Sequence, residues 1–397
     1  MLILLIVLGI MAGISLMVAN MKSPTTPKAT IGGPFIKDFP INDVASIVIQ
    51  SKEDTVSLGK KDDKWVVKSR FDFPADFKKI IDFVKKWRDA KTGRTFNGSD
   101  ATIARLGMVL PTDETNKSDS PPENESDTTT PNDDELGIRI TLANEDNNAI
   151  ADVVIGKTRE TETGMSGGQY IKKFDDSLVY LIDQSFKYTE KKSSAWLDKD
   201  IINIEEKNVQ RIECINEKGQ KVYAISREDK DKKAELEDPP KDQKLKQYEI
   251  DNVVRALSTL RLEDIASPDQ KLSNLDQLPH LKYYLFDGTI YTMYPEKAFV
   301  DDKDQYFMRI RVSYQEPPKK EEPETAATPE PVSDTAAAPV PEAKEDETPK
   351  KTPEELAFDA ENQNKKMSDW TYILSKWKFE NFIMEMKEFF EEEKKDS

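Results

Sequence analysis

A chain of 397 residues, 37% hydrophobic and 34% charged, has the length of two or three domains and is too polar to be one evenly packed globule. Its formal charge of −17 excludes a dominant basic face of the kind that binds nucleic acid. With one cysteine, Cys214, and one histidine, His280, it can form no internal disulfide. Nor can it form a Cys/His zinc site or a Cys–His nucleophile pair without carboxylate help.

Residues Met1 to Ala19 carry no charge and one polar side chain, Ser15. At about 1.5 Å per helical residue this run matches a ~30 Å hydrocarbon core. No small-x-small cleavage site precedes Asn20, since position 17 is Met17, and no lipoprotein cysteine follows. The run therefore reads as an uncleaved transmembrane anchor over residues 1–20, with a cleaved signal peptide as the alternative. Lys22 and Lys28 follow it and no Lys or Arg precedes it. Taken literally, the positive-inside rule would then leave the C-terminal side in the cytoplasm. Residues 21–40, with Pro, Thr and Gly between Ser23 and Gly33, read as a tether.

The first β-rich unit is expected over 41–200. Short strand-like runs come at Val44–Ile49, Val56–Leu58 and Trp65–Val67. A helix follows, with Phe77, Ile80, Ile81, Val84 and Trp87 on one face. Residues 112–135 form an acidic, low-complexity insert of net charge −8, predicted to be disordered. Further strands are predicted at Gly137–Leu142, Ala151–Ile155, Gln169–Lys172 and Leu178–Ile182.

The second unit, 201–397, repeats the plan. Val209 and Ile212 stand where Val44 and Ile47 stood, and Ile250, Val253, Val254, Leu257 and Leu260 share the helical spacing. Strands are predicted at Leu281–Phe286, Ile290–Tyr294 and Gln305–Val312. A second disordered insert, 316–352, has net charge −5, so the two inserts hold most of the chain's acidity. A C-terminal strand and helix within 366–393 are predicted to complete the unit, the strand at Trp370–Leu374 and the helix at Lys376–Glu393. The predicted class is α+β: a transmembrane helix, then a tandem of two antiparallel-sheet-plus-helix units with two disordered inserts.

No motif carries chemistry. Cys214, in the run RIECI, reads as a small buried hydrophobe. Gly164–Gly168 lacks the Lys-Ser/Thr of a phosphate loop and reads as a hairpin connection. Asp301-Asp302-Lys303-Asp304 lacks the Gly and distant Glu of a calcium loop. The sequons at Asn97, Asn116 and Asn124 carry no weight outside a eukaryotic secretory path. Trp65, Trp87, Trp370 and Trp377 have the spacing of core residues rather than of a sugar platform. No catalytic, cofactor-binding or metal-binding residue is assigned.

The chain resembles the family known as domain of unknown function 4340. The residues that carry the resemblance are Ile47-Val48-Ile49, Trp65, Pro74-Ala75-Asp76, Leu106-Gly107 with Pro111, Val154-Ile155-Gly156, Gln169-Tyr170 and Trp370-Thr371-Tyr372-Ile373. Proteins of this kind are often encoded beside ABC-transporter components of the gliding-motility type and face the extracytoplasmic side. The resemblance implies a non-catalytic accessory or adaptor protein, not an enzyme, with an ABC-type transporter as partner and the lipid bilayer met through residues 1–19. It implies no cofactor, no nucleic acid and no identified small-molecule substrate. The chain departs from the family pattern in its missing N-terminal Lys or Arg and its long inserts. The alternative function is a cell-envelope glycan-binding module or hydrolase.

Overall fold

The computed structural model describes residues 31–110, 132–160, 166–317 and 351–391. The chain divides into two compact units, Met1–Trp196 and Leu197–Ser397.

In the first unit the described strands are β1 (Ser46–Gln50), β2 (Thr55–Lys61), β3 (Lys64–Val67), β4 (Phe73–Pro74), β5 (Thr92–Asn97), β6 (Ile138–Ala143), β7 (Ala149–Glu160), β8 (Ser166–Lys173) and β9 (Leu178–Ile182). They form one antiparallel sheet in the order β4-β3-β2-β1-β6-β7-β8-β9-β5. Successive side chains on a strand face opposite sides, so the buried alternation of Ile47 and Ile49 on β1 is matched across the ladder by Leu142 and Ile140 on β6. Helix α1 (Phe77–Asp89) covers this face. Asp76 caps it, accepting a hydrogen bond from the Lys79 amide at 3.0 Å. Its buried residues are Ile80, Phe83, Val84 and Trp87. Phe186 stacks on Trp87 at 4.2 Å, and Trp196 meets Phe83 edge-on at 5.4 Å. The face opposite is covered in part by α2 (Asp100–Arg105), with Phe96, Ile103 and Leu106 packed around Met108, Val154 and Val179.

In the second unit β10 (Asp200–Ile202) pairs with β14 (Leu260–Arg261). The main sheet holds β11 (Val209–Ile215), β12 (Lys221–Ser226), β13 (Glu235–Leu236), β15 (Asp264–Ile265), β16 (His280–Leu285), β17 (Thr289–Val300), β18 (Lys303–Tyr314) and β19 (Tyr372–Ile373). Its order, β13-β12-β11-β16-β17-β18-β19-β15, matches that of the first sheet strand for strand, apart from the extra β4. Helix α3 (Gln247–Val254) packs Ile250, Val253 and Val254 onto it. Where the first unit uses Phe186 and Trp196, the second uses the C-terminal segment: Phe379, Phe382 and Phe389 are almost wholly buried. Phe382 lies 6.2 Å from Tyr283, and Phe389 lies 5.0 Å from Tyr223. A backbone bond is also shared. The Asp76 amide donates to the Trp196 carbonyl at 2.8 Å, and the Lys246 amide donates to the Phe389 carbonyl at 2.8 Å.

β19 pairs with Phe307 and Met308 of β18 on one side and with Asp264 and Ile265 of β15 on the other. Helix α4 (Pro353–Met367) packs against β18. Asn364 Oδ1 accepts from the Val312 amide at 2.9 Å, and Arg311 Nη1 donates to the Ser368 carbonyl at 2.7 Å. The Asn364 side chain thus occupies an edge amide that would otherwise be open to another strand. Within the same segment α5 is short (Lys376–Glu380).

Several expectations need correction. The α+β class gives way to a mostly antiparallel β architecture with few helices. The helical spacing from Ile250 to Leu260 yields eight α-helical residues, then the tighter turn Arg255–Leu257, and Leu260 already belongs to β14. The helix expected over Lys376–Glu393 ends at Glu380 and is followed by the separate tight turn Met386–Phe389, although the buried positions 379, 382, 389 and 390 keep helical spacing. On α1, Phe77 is 59% exposed and Phe83 takes the buried place. No helix among the described residues is long and apolar enough to cross a membrane. The longest, α4, has 15 residues and reaches about 22 Å against a ~30 Å core. The expected anchor, residues 1–20, and most of both expected inserts lie outside the described residues. Asp133–Glu135, inside the first expected insert, forms a capped turn.

Among the described non-glycine residues with positive φ, Thr259 is the one with a β-branched side chain. Thr259, between α3 and β14, has φ 59°, a left-handed conformation that a β-branched side chain resists. Thr259→Gly is expected to raise the unfolding free energy by about 0.5–1 kcal/mol, read by urea titration.

Candidate functional site

The residues singled out in the sequence do not converge. Cys214 is half-buried on β11, opposite Tyr223 and Leu281, and burial pushes its thiol above the ordinary range. That environment suits packing, since reactive thiols sit where the thiolate is favoured. His280 opens β16 and lies against Tyr294 at 5.1 Å, with Nδ1 at 3.2 Å from the Leu278 carbonyl. Asp301 and Asp302, at φ 49° and 58°, are the two-residue turn joining β17 to β18; Asp62 and Asp63 do the same between β2 and β3. Asp304 is paired with Lys297 at 2.7 Å. Of the Gly164–Gly168 run, Gly168 lies on β8 at φ 113°, where a side chain would collide with the Ile182 carbonyl. Asn97 ends β5, while Asn116 and Asn124 lie outside the described residues. Trp87 is core, Trp65 and Trp370 are half-buried, and Trp377 is exposed. Among the described residues no group of three or more His, Cys, Asp or Glu side chains stands together.

Several charged groups on the two sheets are linked to neighbours. Arg139 on β6 holds Asp152 on β7 through two hydrogen bonds of 2.9 and 2.7 Å, and its guanidinium lies 3.5 Å from the Phe174 ring centre. Arg211 on β11 grips Glu237 twice at 3.0 Å and reaches Glu213 at 3.1 Å. Tyr284 donates to Glu213 at 2.8 Å, and burial together with that carboxylate pushes its phenol up to about 12. Arg309 on β18 joins Glu296 on β17 at 2.7 Å and the Ser273 carbonyl at 2.7 Å.

A groove of about 860 Å³ lies in the first unit. One wall is the strap 32–38. Thr92 donates to the Gly33 carbonyl at 2.9 Å, Gly32 donates to the Thr92 carbonyl at 2.7 Å, and Phe35 donates to the Ala90 carbonyl at 2.8 Å. The strap thus runs antiparallel along the start of β5. Phe35 is buried and meets Tyr180 edge-on at 5.3 Å. The floor is β7, where Ala151 and Val153 point the same way and Ala149, beyond a bulge in the ladder, completes the lining. Two small residues in succession leave the depression. Burial, reinforced by Asp176, raises the Tyr180 phenol and keeps it neutral. Lys37 and Lys173 line the mouth, and both are exposed. Asp152, also in the lining, is taken up by Arg139. Reading 21–40 as a tether missed this site, although the apolar residues Phe35, Ile36 and Phe39 beyond Gly33 were a signal that the strap packs.

A family model described as "Domain of unknown function (DUF4340)" matches residues 65–277. The match covers more than half of the chain and includes β7, β8 and β9, while the strap lies outside it. No curated protein and no solved structure matches the chain.

Proposed function

The chain belongs to the family described as "Domain of unknown function (DUF4340)", and we propose that it serves as a non-catalytic accessory protein of a membrane complex. The complex would be of the ABC-transport or gliding-motility type, with the chain's bulk on the extracytoplasmic side. The observation that carries this reading is the use made of charged groups. Arg139, Arg211 and Arg309 bind carboxylates on adjoining strands or loops and so stiffen two broad sheets. Stiffened sheets of this kind offer firm surfaces on which partners can be held. A glycan-binding module or hydrolase of the cell envelope is the second reading, and the exposed indole of Trp377, 63% accessible, favours it.

Purification of the tagged full chain from membranes in mild detergent tests the proposal. Permease and ATPase subunits are expected to co-elute in fixed proportion. Recovery of the chain alone, together with retention on isolated cell-wall glycan, would overturn the accessory role and favour the second reading.

A further inference from the structure

The groove of the first unit has the make-up of a site for an amphiphile. Its volume, about 860 Å³, lies within the ~300–1,000 Å³ common for small-molecule sites, and its lining is mostly apolar. Phe35, Ala151, Val153 and Tyr180 are all buried residues of the unit's core, so the floor is continuous with packed hydrocarbon. The polar groups are at the edge. Lys37 and Lys173 come from different walls, strap and β8, and both border the opening. Among the described residues neither lysine side chain is held in an ion pair, whereas Asp152 beside them is bound by Arg139. Asp38, also in the lining, is exposed. An apolar trough with two uncommitted cations at its mouth complements a molecule with a long hydrocarbon tail and one anionic head.

We infer that this groove binds a single acyl chain ending in an anionic head, with the tail on the Ala149–Ala151–Val153 floor between strap and sheet and the head between Lys37 and Lys173. The inference stands on the groove alone, so its failure would leave the accessory role untouched. A free fatty acid and a one-chain phospholipid share this chemistry, and the experiment separates them.

The full chain is titrated calorimetrically, below the micelle threshold of each ligand, with octanoate, decanoate, laurate, lysophosphatidylglycerol and the neutral dodecanol. One-to-one saturable binding of laurate is expected, tightening up to about fourfold per added methylene along the series. Laurate binding with lysophosphatidylglycerol rejected identifies a free fatty acid; binding of both identifies a lipid-type head as acceptable. Lys37→Glu combined with Lys173→Glu should weaken laurate at least tenfold and leave dodecanol unchanged. Ala149→Trp should abolish binding of both. Ala149 is exposed, so this variant fills the groove without entering the core. An unchanged melting temperature shows that it still folds. No saturable laurate binding, or binding indifferent to Ala149→Trp, overturns the site. Equal affinity for laurate and dodecanol overturns the role of the two lysines.

Discussion

Truncation after Thr352 is expected to abolish folding of the second unit while the first unit keeps its own transition. The deleted segment supplies β19, α4 and the aromatic side chains Phe379, Phe382, Phe389 and Phe390, each no more than 5% exposed. Burying one phenylalanine contributes about 1.5–3 kcal/mol, so four contribute on the order of 6–12 kcal/mol. That equals the whole stability of an ordinary domain, about 5–15 kcal/mol. Truncation also strands Tyr223 and Tyr283, whose rings those phenylalanines cover, and uncovers the edge of β18. Calorimetry reads the outcome. The intact chain and the truncated one should share one transition, and the truncated chain should lack the other. A C-terminal segment that is merely an accessory amphipathic helix would leave both transitions in place.

Val84→Asp is expected to unfold the first unit, whereas Phe77→Asp, on the same helix, should cost under about 1 kcal/mol. Val84 is 4% exposed and packs beneath α1. The substitution removes an apolar side chain and buries a carboxylate in its place, a loss of several kcal/mol. Phe77 is 59% exposed, so its replacement leaves the core intact. The pair distinguishes the observed helix orientation from the five-residue stripe of the sequence reading, in which both positions would be core. Urea denaturation followed by tryptophan fluorescence gives both values.

Strands were legible wherever alternation was strong. The Val44–Ile49 run overlaps β1 at Ser46–Ile49, the Trp65–Val67 run lies in β3, and the Trp370–Leu374 run contains β19. Their ends were less so: β17 and β18 each extend to 12 residues, because a two-aspartate turn continues the ladder through polar positions. Helices were misjudged where one pattern served two purposes. Leu257 and Leu260 keep helical spacing with Ile250, yet both are buried by a turn and a strand. Helix α4 was missed because its apolar stripe is thin, with Ala360 its only buried residue. Its capping box, Thr352 with Glu355, was the available signal. The groove was not legible at all. Lys37, Ala149, Ala151, Lys173 and Tyr180 are separated by up to 143 positions and meet only through strand order.

The arrangement of the second sheet can be tested by one cross-link. Asp264 on β15 and Ile373 on β19 face each other across the ladder. Facing residues in antiparallel strands lie about 4.5–5.5 Å apart at Cα, within disulfide reach. In a Cys214→Ser background, Asp264→Cys with Ile373→Cys should oxidise to a disulfide in the folded full chain. After cleavage at a protease site engineered within 318–350, the two pieces should run as one band without reductant and as two with it. Two bands without reductant, with both thiols still free after oxidation, would contradict the placement of β19 beside β15.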